Sequence, residues 1–164
     1  MAAIERFKSA QESPDAGFES ALAEIRAGRK RGHWIWYVFP QLSGLGTSPM
    51  SQSFAIDGEQ EAIEFLRDAE LRARLLTISR AVADQLRTGS VSLVGLMGSQ
   101  VDAQKLVSSL TLFGSVARKL HSIEGVGEYD ALARIADDVL AAAASQGYPP
   151  CAYTRGFLAR PGMG

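Results

Sequence analysis

The chain has 164 residues, which is enough for one domain and too few for two of ordinary size. Hydrophobic residues make up 46% and charged residues 21%, so a core can form without a disulfide or a metal ion. The 17 basic and 18 acidic residues leave a net charge of −1, which argues against a dedicated nucleic-acid-binding protein.

The cysteine content and the hydropathy of the chain indicate which compartment and which cofactors to expect. Cys151 is the one cysteine, which excludes an intramolecular disulfide, and no Cys/His cluster predicts a zinc site. No apolar run approaches membrane-spanning length, and the N-terminus lacks the apolar core of a signal peptide. We therefore expect a cytoplasmic, bacterial protein with no metal, no cofactor and no membrane partner.

In the first half of the chain, helical patterns alternate with glycine and proline residues that mark helix starts and ends. After a short amphipathic turn at Ile4 and Phe7, Ser13-Pro14 predicts a helix start, and Gly28 predicts the end of that helix. The aromatic run that follows fits either a strand or a buried helix of about two turns, and we favour a helix that ends before Pro40. Ser48-Pro49 predicts a second capped start, of a short helix.

The second half has longer helical patterns with clearer caps. A helix from Gly58 is followed by a long helix that Asp68 caps and Thr88-Gly89 closes. Ser99-x-x-Asp102 resembles a capping box for the next helix, and a turn is expected between His121 and Gly127. An alanine-rich helix then runs to Ser145.

These patterns predict an all-α fold: a single compact irregular helical domain of five or more helices over residues 1–146. Residues 147–164 contain glycine, proline and arginine without periodicity. We expect this C-terminal tail to be extended or partly disordered.

The stretch Arg29–Gly46 is the most distinctive segment of the chain. Three consecutive basic residues, Arg29 to Arg31, precede His33 and a run of aromatic residues, and a glycine-rich turn follows. Most of the aromatic bulk should be core, anchored by Ile35, Val38 and Phe39. The outward basic residues, the imidazole and one indole could instead hold an anionic, planar ligand.

Two further features could complete such a site. The turn Gly44-x-Gly46-x-Ser48 precedes a helix start and could hold a phosphate, although the pattern favours a plain inter-helix turn. Asp102, Lys105 and Ser109 share one helix face, which fits either a surface ion pair with a close helix crossing or a polar cleft wall. The candidate ligand-binding residues are Arg29, Arg31, Trp34, Trp36, Gln41, Gly44, Gly46, Ser48, Asp102, Lys105 and Ser109.

The chain carries none of the common catalytic motifs. It has no paired-carboxylate motif, no G-x-S-x-G elbow, no H-E-x-x-H and no Cys/His signature. His33 is the acid–base candidate, and the sequence does not exclude the carboxylates of Asp57 and Asp102 from that role. His121 follows Lys119-Leu120 near a helix end and should complement the helix dipole.

Three segments resemble the signature blocks of a bacterial family of unknown function, whose members are often mislabelled calpastatin. They are RAGRKRGHWIWYVFPQLSGLG, SPMSQSFAI and DAQKLVSSLTLF, and the resemblance extends from Ile4 to about Leu120. One departure is Leu96-Met97-Gly98, where the family usually has Ile-Phe-Gly. The resemblance implies a compact helical domain and no established activity, and the chain lacks the hydrophilic composition of a disordered inhibitor.

Two hypotheses of function follow. In the first, the protein binds or acts on an anionic, nucleotide-like small molecule between the aromatic stretch and the Asp102 helix. In the second, it is a non-catalytic interaction module or homodimer that uses the aromatic patch. Whether the protein is an enzyme stays open.

Overall fold

A 25-residue helix, Gln100–Glu124, runs through the centre of the protein, and most of its side chains are buried. The computed structural model describes residues 3–160, which form ten helices and no strand. The helices are α1 Glu5–Gln11, α2 Phe18–Arg26, α3 Ile35–Val38, α4 Pro49–Ser53, α5 Gly58–Arg67, α6 Ala69–Thr88, α7 Leu93–Met97, α8 Gln100–Glu124, α9 Gly127–Ser145 and α10 Ala152–Leu158. The all-α, single-domain fold is therefore confirmed.

Helices α5, α7, α9 and α10 all pack on α8, and α6 connects α9 to α2. The α8–α9 crossing is close because Gly114 lies against α9, where an added Cβ would come within 2.9 Å of the Ala136 Cβ. The resulting core is one continuous cluster of aliphatic and aromatic side chains. No helix among residues 3–160 is both long enough and apolar enough to cross a bilayer.

Several helix boundaries follow from the capping residues identified in the sequence. The side chains of Ser48, Asp68 and Ser99 accept N–H groups in the first turns of α4, α6 and α8. Gly89 ends α6 in the left-handed conformation, with φ of 72°, as a helix-ending glycine should. These four boundary predictions are confirmed.

Other boundary predictions were wrong. Helix α2 begins at Phe18, because the Ser13-Pro14 segment forms a turn that packs against Gly17. The aromatic helix α3 is one turn and not two, although it does end before Pro40. Helix α8 continues through His121 and stops at Glu124, next to left-handed Gly125.

The expected extended tail is also wrong within the described residues, because α10 covers seven of them. The N–H of Cys151 donates to Thr111 Oγ1 of α8 at 3.1 Å, and Thr154 is fully buried. These contacts supply a tertiary reason for a helix that has little periodic pattern of its own. Residues 161–164 of the predicted tail lie outside the described residues.

Candidate functional site

The carboxylate of Glu24, on α2, organises the basic loop between α2 and α3. Its Oε1 accepts the backbone N–H groups of Arg31 at 2.8 Å and Gly32 at 2.9 Å, and the indole N–H of Trp34 at 2.9 Å. Trp34 is fully buried, whereas Arg29 and Arg31 are exposed. The carboxylate therefore fixes the loop from inside and leaves both arginine side chains outside.

Burial alone would raise the pKa of the Glu24 carboxyl, but three N–H donors and the charge of Lys30 together lower it. The folded protein then binds this proton less readily than the unfolded chain. The ionised carboxylate should therefore stabilise the fold above the ordinary pKa of 4.5, and this contribution should be lost as the pH falls below that value.

We expect the free energy of unfolding of Glu24→Gln to fall less steeply than that of the wild type as the pH is lowered. Glutamine keeps an acceptor oxygen but has no carboxylate that can bind a proton. Urea unfolding between about pH 7 and about pH 3 measures this effect. Glu19→Gln, at an exposed position of the same helix, is the matched control and should leave the profile unchanged. An unchanged profile in Glu24→Gln would contradict the role given to this carboxylate.

Lys30 joins the basic loop to α8 through an ion pair. Its Nζ lies 2.8 Å from Asp102 Oδ2, and its side chain is only 6% exposed. The same ammonium lies 4.9 Å from the centre of the Trp34 ring, and the Lys30 backbone N–H donates to Leu96 O at 2.7 Å. The loop and the Asp102 end of α8 are thus in direct contact.

The capping-box interpretation of Ser99 and Asp102 holds only in part. Ser99 Oγ accepts the Asp102 N–H at 3.1 Å, so Ser99 does cap α8. The Asp102 carboxylate pairs with Lys30, and not with Lys105 as the helical spacing had suggested. Lys105 forms no ion pair among residues 3–160.

Lys105 lies instead over the half-buried ring of Trp36, with its Nζ 5.3 Å from the ring centre. The indole N–H of Trp36 is buried and has no hydrogen-bond partner within the described part of the chain. An unsatisfied buried donor costs about 1–3 kcal/mol. Because Trp36 is only half-buried and Trp34 is fully buried, Trp36 is the outward tryptophan of the pair, and Trp34 belongs to the core.

The polar residues further along α8 do not form an open cleft wall. Ser109 is fully buried, and its hydroxyl has no partner among residues 3–160. Thr111 is also buried, and its hydroxyl donates to Val107 O at 2.7 Å. The small residues of this helix face lie in the core, and Lys105 is the side chain that reaches the surface.

The glycine-rich turn is filled by protein side chains. Gly44 has φ of +98°, and a Cβ there would lie 2.5 Å from the hydroxyl of Tyr153, which donates to Ser43 O at 3.0 Å. A Cβ on Gly46 would lie 2.5 Å from Ser51. These contacts explain both glycines without a phosphate.

The two remaining polar candidates near this turn have structural contacts. Ser48 Oγ accepts the Ser51 N–H at 3.1 Å and donates to Ser51 Oγ at 2.9 Å. Gln41 is half-buried, and its backbone carbonyl accepts the Ile56 N–H at 2.9 Å. Ser48 thus caps α4, and Gln41 helps join the turn to the segment before α5.

His33 is exposed, and its side chain makes no hydrogen bond within residues 3–160. Its backbone carbonyl accepts the hydroxyl of Tyr37 at 3.3 Å. No carboxylate or carbonyl of the described residues orients the imidazole, as a partner usually does for a catalytic histidine.

The structure places Arg29, Lys30 and Arg31 around one surface depression, which Gly98 closes on the α7–α8 side. A Cβ on Gly98 would approach Lys30 O to 3.2 Å, so glycine allows the loop to lie close. Sequence reasoning missed Gly98 and Glu24 as parts of this site. The family block around Leu96-Met97-Gly98 was a signal for the glycine, whereas an isolated helical glutamate gives none.

Comparison with known proteins agrees with the fold and does not supply an activity. A search of curated proteins found no match. The chain is similar in structure to the conserved hypothetical protein Rv1873 from Mycobacterium tuberculosis, with a TM-score of 0.74 and 32% identity, over 97% of this chain and 98% of that chain. The sequence model of a protein family of unknown function, DUF1810, matches residues 1–129. The chain therefore belongs to the DUF1810 family.

Proposed function

We propose that the protein binds an anionic, nucleotide-like small molecule on the surface formed by the basic loop and the first turns of α8. The observation that carries this proposal is positive charge without acidic partners in the described residues, on the basic loop and at Lys105, which lies over the ring of Trp36. Arg29, Arg31 and Lys105 have no acidic partner among residues 3–160, and Trp36 has a buried N–H with no acceptor.

Several other arginines among residues 3–160 do have acidic partners. Elsewhere Arg6, Arg67 and Arg72 each form an ion pair with a glutamate at 2.6–2.9 Å. The two acids nearest the loop, Glu24 and Asp102, are already engaged by the contacts described above. A phosphate or carboxylate would therefore meet arginines whose charge is not neutralised, and arginine suits such oxyanions through its planar, multidentate donors.

Trp36 supports a ligand that also has a planar part. Its ring is half-buried and therefore rigid, and an aromatic face stacks well on a nucleobase. Lys105 now covers the ring, but its flexible stem allows the ammonium to turn toward a bound anion.

The proposal concerns binding, and it gives His33 a supporting role at the edge of the site. An exposed imidazole without an orienting partner can add charge or a hydrogen bond to a ligand. The remaining candidate residues stabilise the fold in this proposal and do not contact the ligand. They are Trp34, Gln41, Gly44, Gly46, Ser48 and Ser109. The alternative of an interaction module loses most of its aromatic patch, because Trp34, Tyr37 and Phe39 are at most 6% exposed.

Thermal unfolding with AMP, ADP, ADP-ribose and inorganic phosphate tests the proposal. A ligand at about 100 times its dissociation constant should add roughly 2.7 kcal/mol to the free energy of unfolding. The double variant Arg29→Gln/Arg31→Gln should bind at least about 100-fold more weakly, since each charged hydrogen bond contributes about 1.5–3 kcal/mol.

The matched control is Arg118→Gln/Arg134→Gln, which removes two exposed arginines, and it should bind as the wild type does. Arg118 lies 13 residues beyond Lys105 on α8, about 20 Å away along the helix. No stabilisation by any of the four probes would contradict the proposal. Concentration-dependent dimerisation in the same samples would then favour the interaction module.

A further inference from the structure

A second depression with two arginines lies between the end of α2 and the second half of α6. It has a volume of about 380 Å³ and is lined by Arg26, Thr77, Arg80, Ala81, Asp84 and Gln85. Arg26 and Arg80 come from different helices, are both exposed, and form no ion pair among residues 3–160.

The neighbouring polar groups leave both arginines available. Asp84 is the one acid that lines the depression, and its carboxylate bonds to Arg87, one turn further along α6. The amide of Gln85 donates to the carbonyls of Ile25 and Arg26, at 3.0 and 2.9 Å, and so satisfies the end of α2. The Arg26 side chain is therefore not needed to cap its own helix.

Two guanidinium groups that line one depression repel each other unless an anion lies between them. Thr77 adds a hydroxyl at the same depression, so an oxyanion would find cationic and neutral donors together. In the first depression, Arg29 and Arg31 likewise have no acidic partner among residues 3–160.

The two depressions are close along the backbone. Arg26 ends α2 and Arg29 lies three residues later, so their Cα atoms are at most about 11 Å apart. We call Arg26, Arg29, Arg31 and Arg80 together the basic band. The separation of Arg26 and Arg29 is short enough for one extended ligand to span.

We propose that the basic band binds a single linear ligand with several phosphate groups, one part in each depression. This inference rests on the proposed function for the Arg29 and Arg31 half of the band. The Arg26 and Arg80 half is new, and it turns a site for one anionic group into a site for an oligophosphate chain.

The test compares the binding of inorganic phosphate, pyrophosphate, tripolyphosphate and a longer linear polyphosphate by calorimetry at fixed ionic strength. Affinity should rise at least tenfold once the chain spans both depressions, because the second contact is then intramolecular. Arg26→Gln/Arg80→Gln should abolish this rise and leave pyrophosphate binding within about twofold of wild type. Arg118→Gln/Arg134→Gln is again the control, and it should keep the rise.

The outcomes separate the two proposals. If Arg26→Gln/Arg80→Gln keeps the full rise while Arg29→Gln/Arg31→Gln loses binding, the inference is overturned and the proposed function stands. An equal loss for every chain length in Arg26→Gln/Arg80→Gln would also overturn the spanning ligand. If neither pair affects any phosphate probe, both proposals fail. All four positions are exposed, so unfolding temperatures without ligand should confirm that each variant folds.

Discussion

Replacing Asp102 with alanine is expected to lower the free energy of unfolding by about 3 kcal/mol, because it leaves the ammonium of Lys30 buried without its counter-charge. The Lys30 side chain is 6% exposed and lies 2.8 Å from the Asp102 carboxylate. Urea unfolding measures the loss, and an unchanged m-value would show that the amount of surface exposed on unfolding is the same as in the wild type.

Two controls separate the buried charge from general damage to α8. Lys30→Met/Asp102→Leu removes both charges and should recover most of the lost stability. Asp137→Ala breaks the exposed Arg118–Asp137 pair, and the free energy of unfolding should change by less than about 0.5 kcal/mol. A loss in Asp102→Ala no larger than that of Asp137→Ala would show that the ion pair does not hold the basic loop on α8.

Replacing Trp34 with alanine should have the largest effect of any single substitution in the aromatic stretch. The side chain is fully buried, and its indole N–H is one of the three donors on Glu24. The expected loss is about 3–5 kcal/mol, from the cavity and from the lost donor together. Chemical denaturation followed by circular dichroism measures it without relying on tryptophan emission.

Trp34→Phe and Trp36→Ala divide this loss into its parts. Trp34→Phe keeps much of the ring volume and removes the donor, so we expect a loss of about 1–2 kcal/mol. Trp36→Ala removes a half-buried ring whose N–H has no partner among residues 3–160, and it should cost less than half as much as Trp34→Ala. Equal losses in Trp34→Ala and Trp36→Ala would contradict the division into a core and an outward tryptophan.

Local sequence signals predicted much of the helical layout, because the caps act through the nearest backbone groups. Ser48, Asp68 and Ser99 each bond an N–H three residues ahead, a contact that needs no tertiary partner. Ser13-Pro14 has the same local pattern and fails, because Gly17 packs against the Ser13 backbone and delays the helix. Helix α10 was missed because distant contacts to α8 and to the glycine-rich turn hold it in place.

For the candidate site, the sequence predicted which two segments would meet but not how they are joined. The basic loop does lie against the Asp102 end of α8, as the hypothesis of a site between the aromatic stretch and the Asp102 helix required. Helical spacing favoured Lys105 as the partner of Asp102, yet Lys30 takes that place from 72 positions away in sequence. Pairings over such distances depend on the packed fold, and no local pattern encodes them.

The same limit applies to the glycine-rich turn. Glycines before a helix start fit both a phosphate cradle and a close approach of protein atoms, and the sequence does not distinguish the two. Tyr153, more than a hundred residues later, fills the space at Gly44. The candidate site is consequently smaller than the sequence suggested, and it is centred on arginines, Lys105 and Trp36.

The central claim is that an anion binds beside Trp36, and the two indole N–H groups of the chain allow a direct test. In a ¹H–¹⁵N spectrum, Trp34 serves as the internal reference because its N–H is bonded to Glu24, while the Trp36 N–H has no partner in the described part of the chain. Titration with ADP should move the Trp36 indole signal in a saturable way and leave the Trp34 signal nearly in place, and Arg29→Gln/Arg31→Gln should remove the response. The claim would be contradicted if the Trp36 signal stayed fixed at ADP concentrations that saturate binding elsewhere. It would also be contradicted if the signal moved equally in Arg29→Gln/Arg31→Gln.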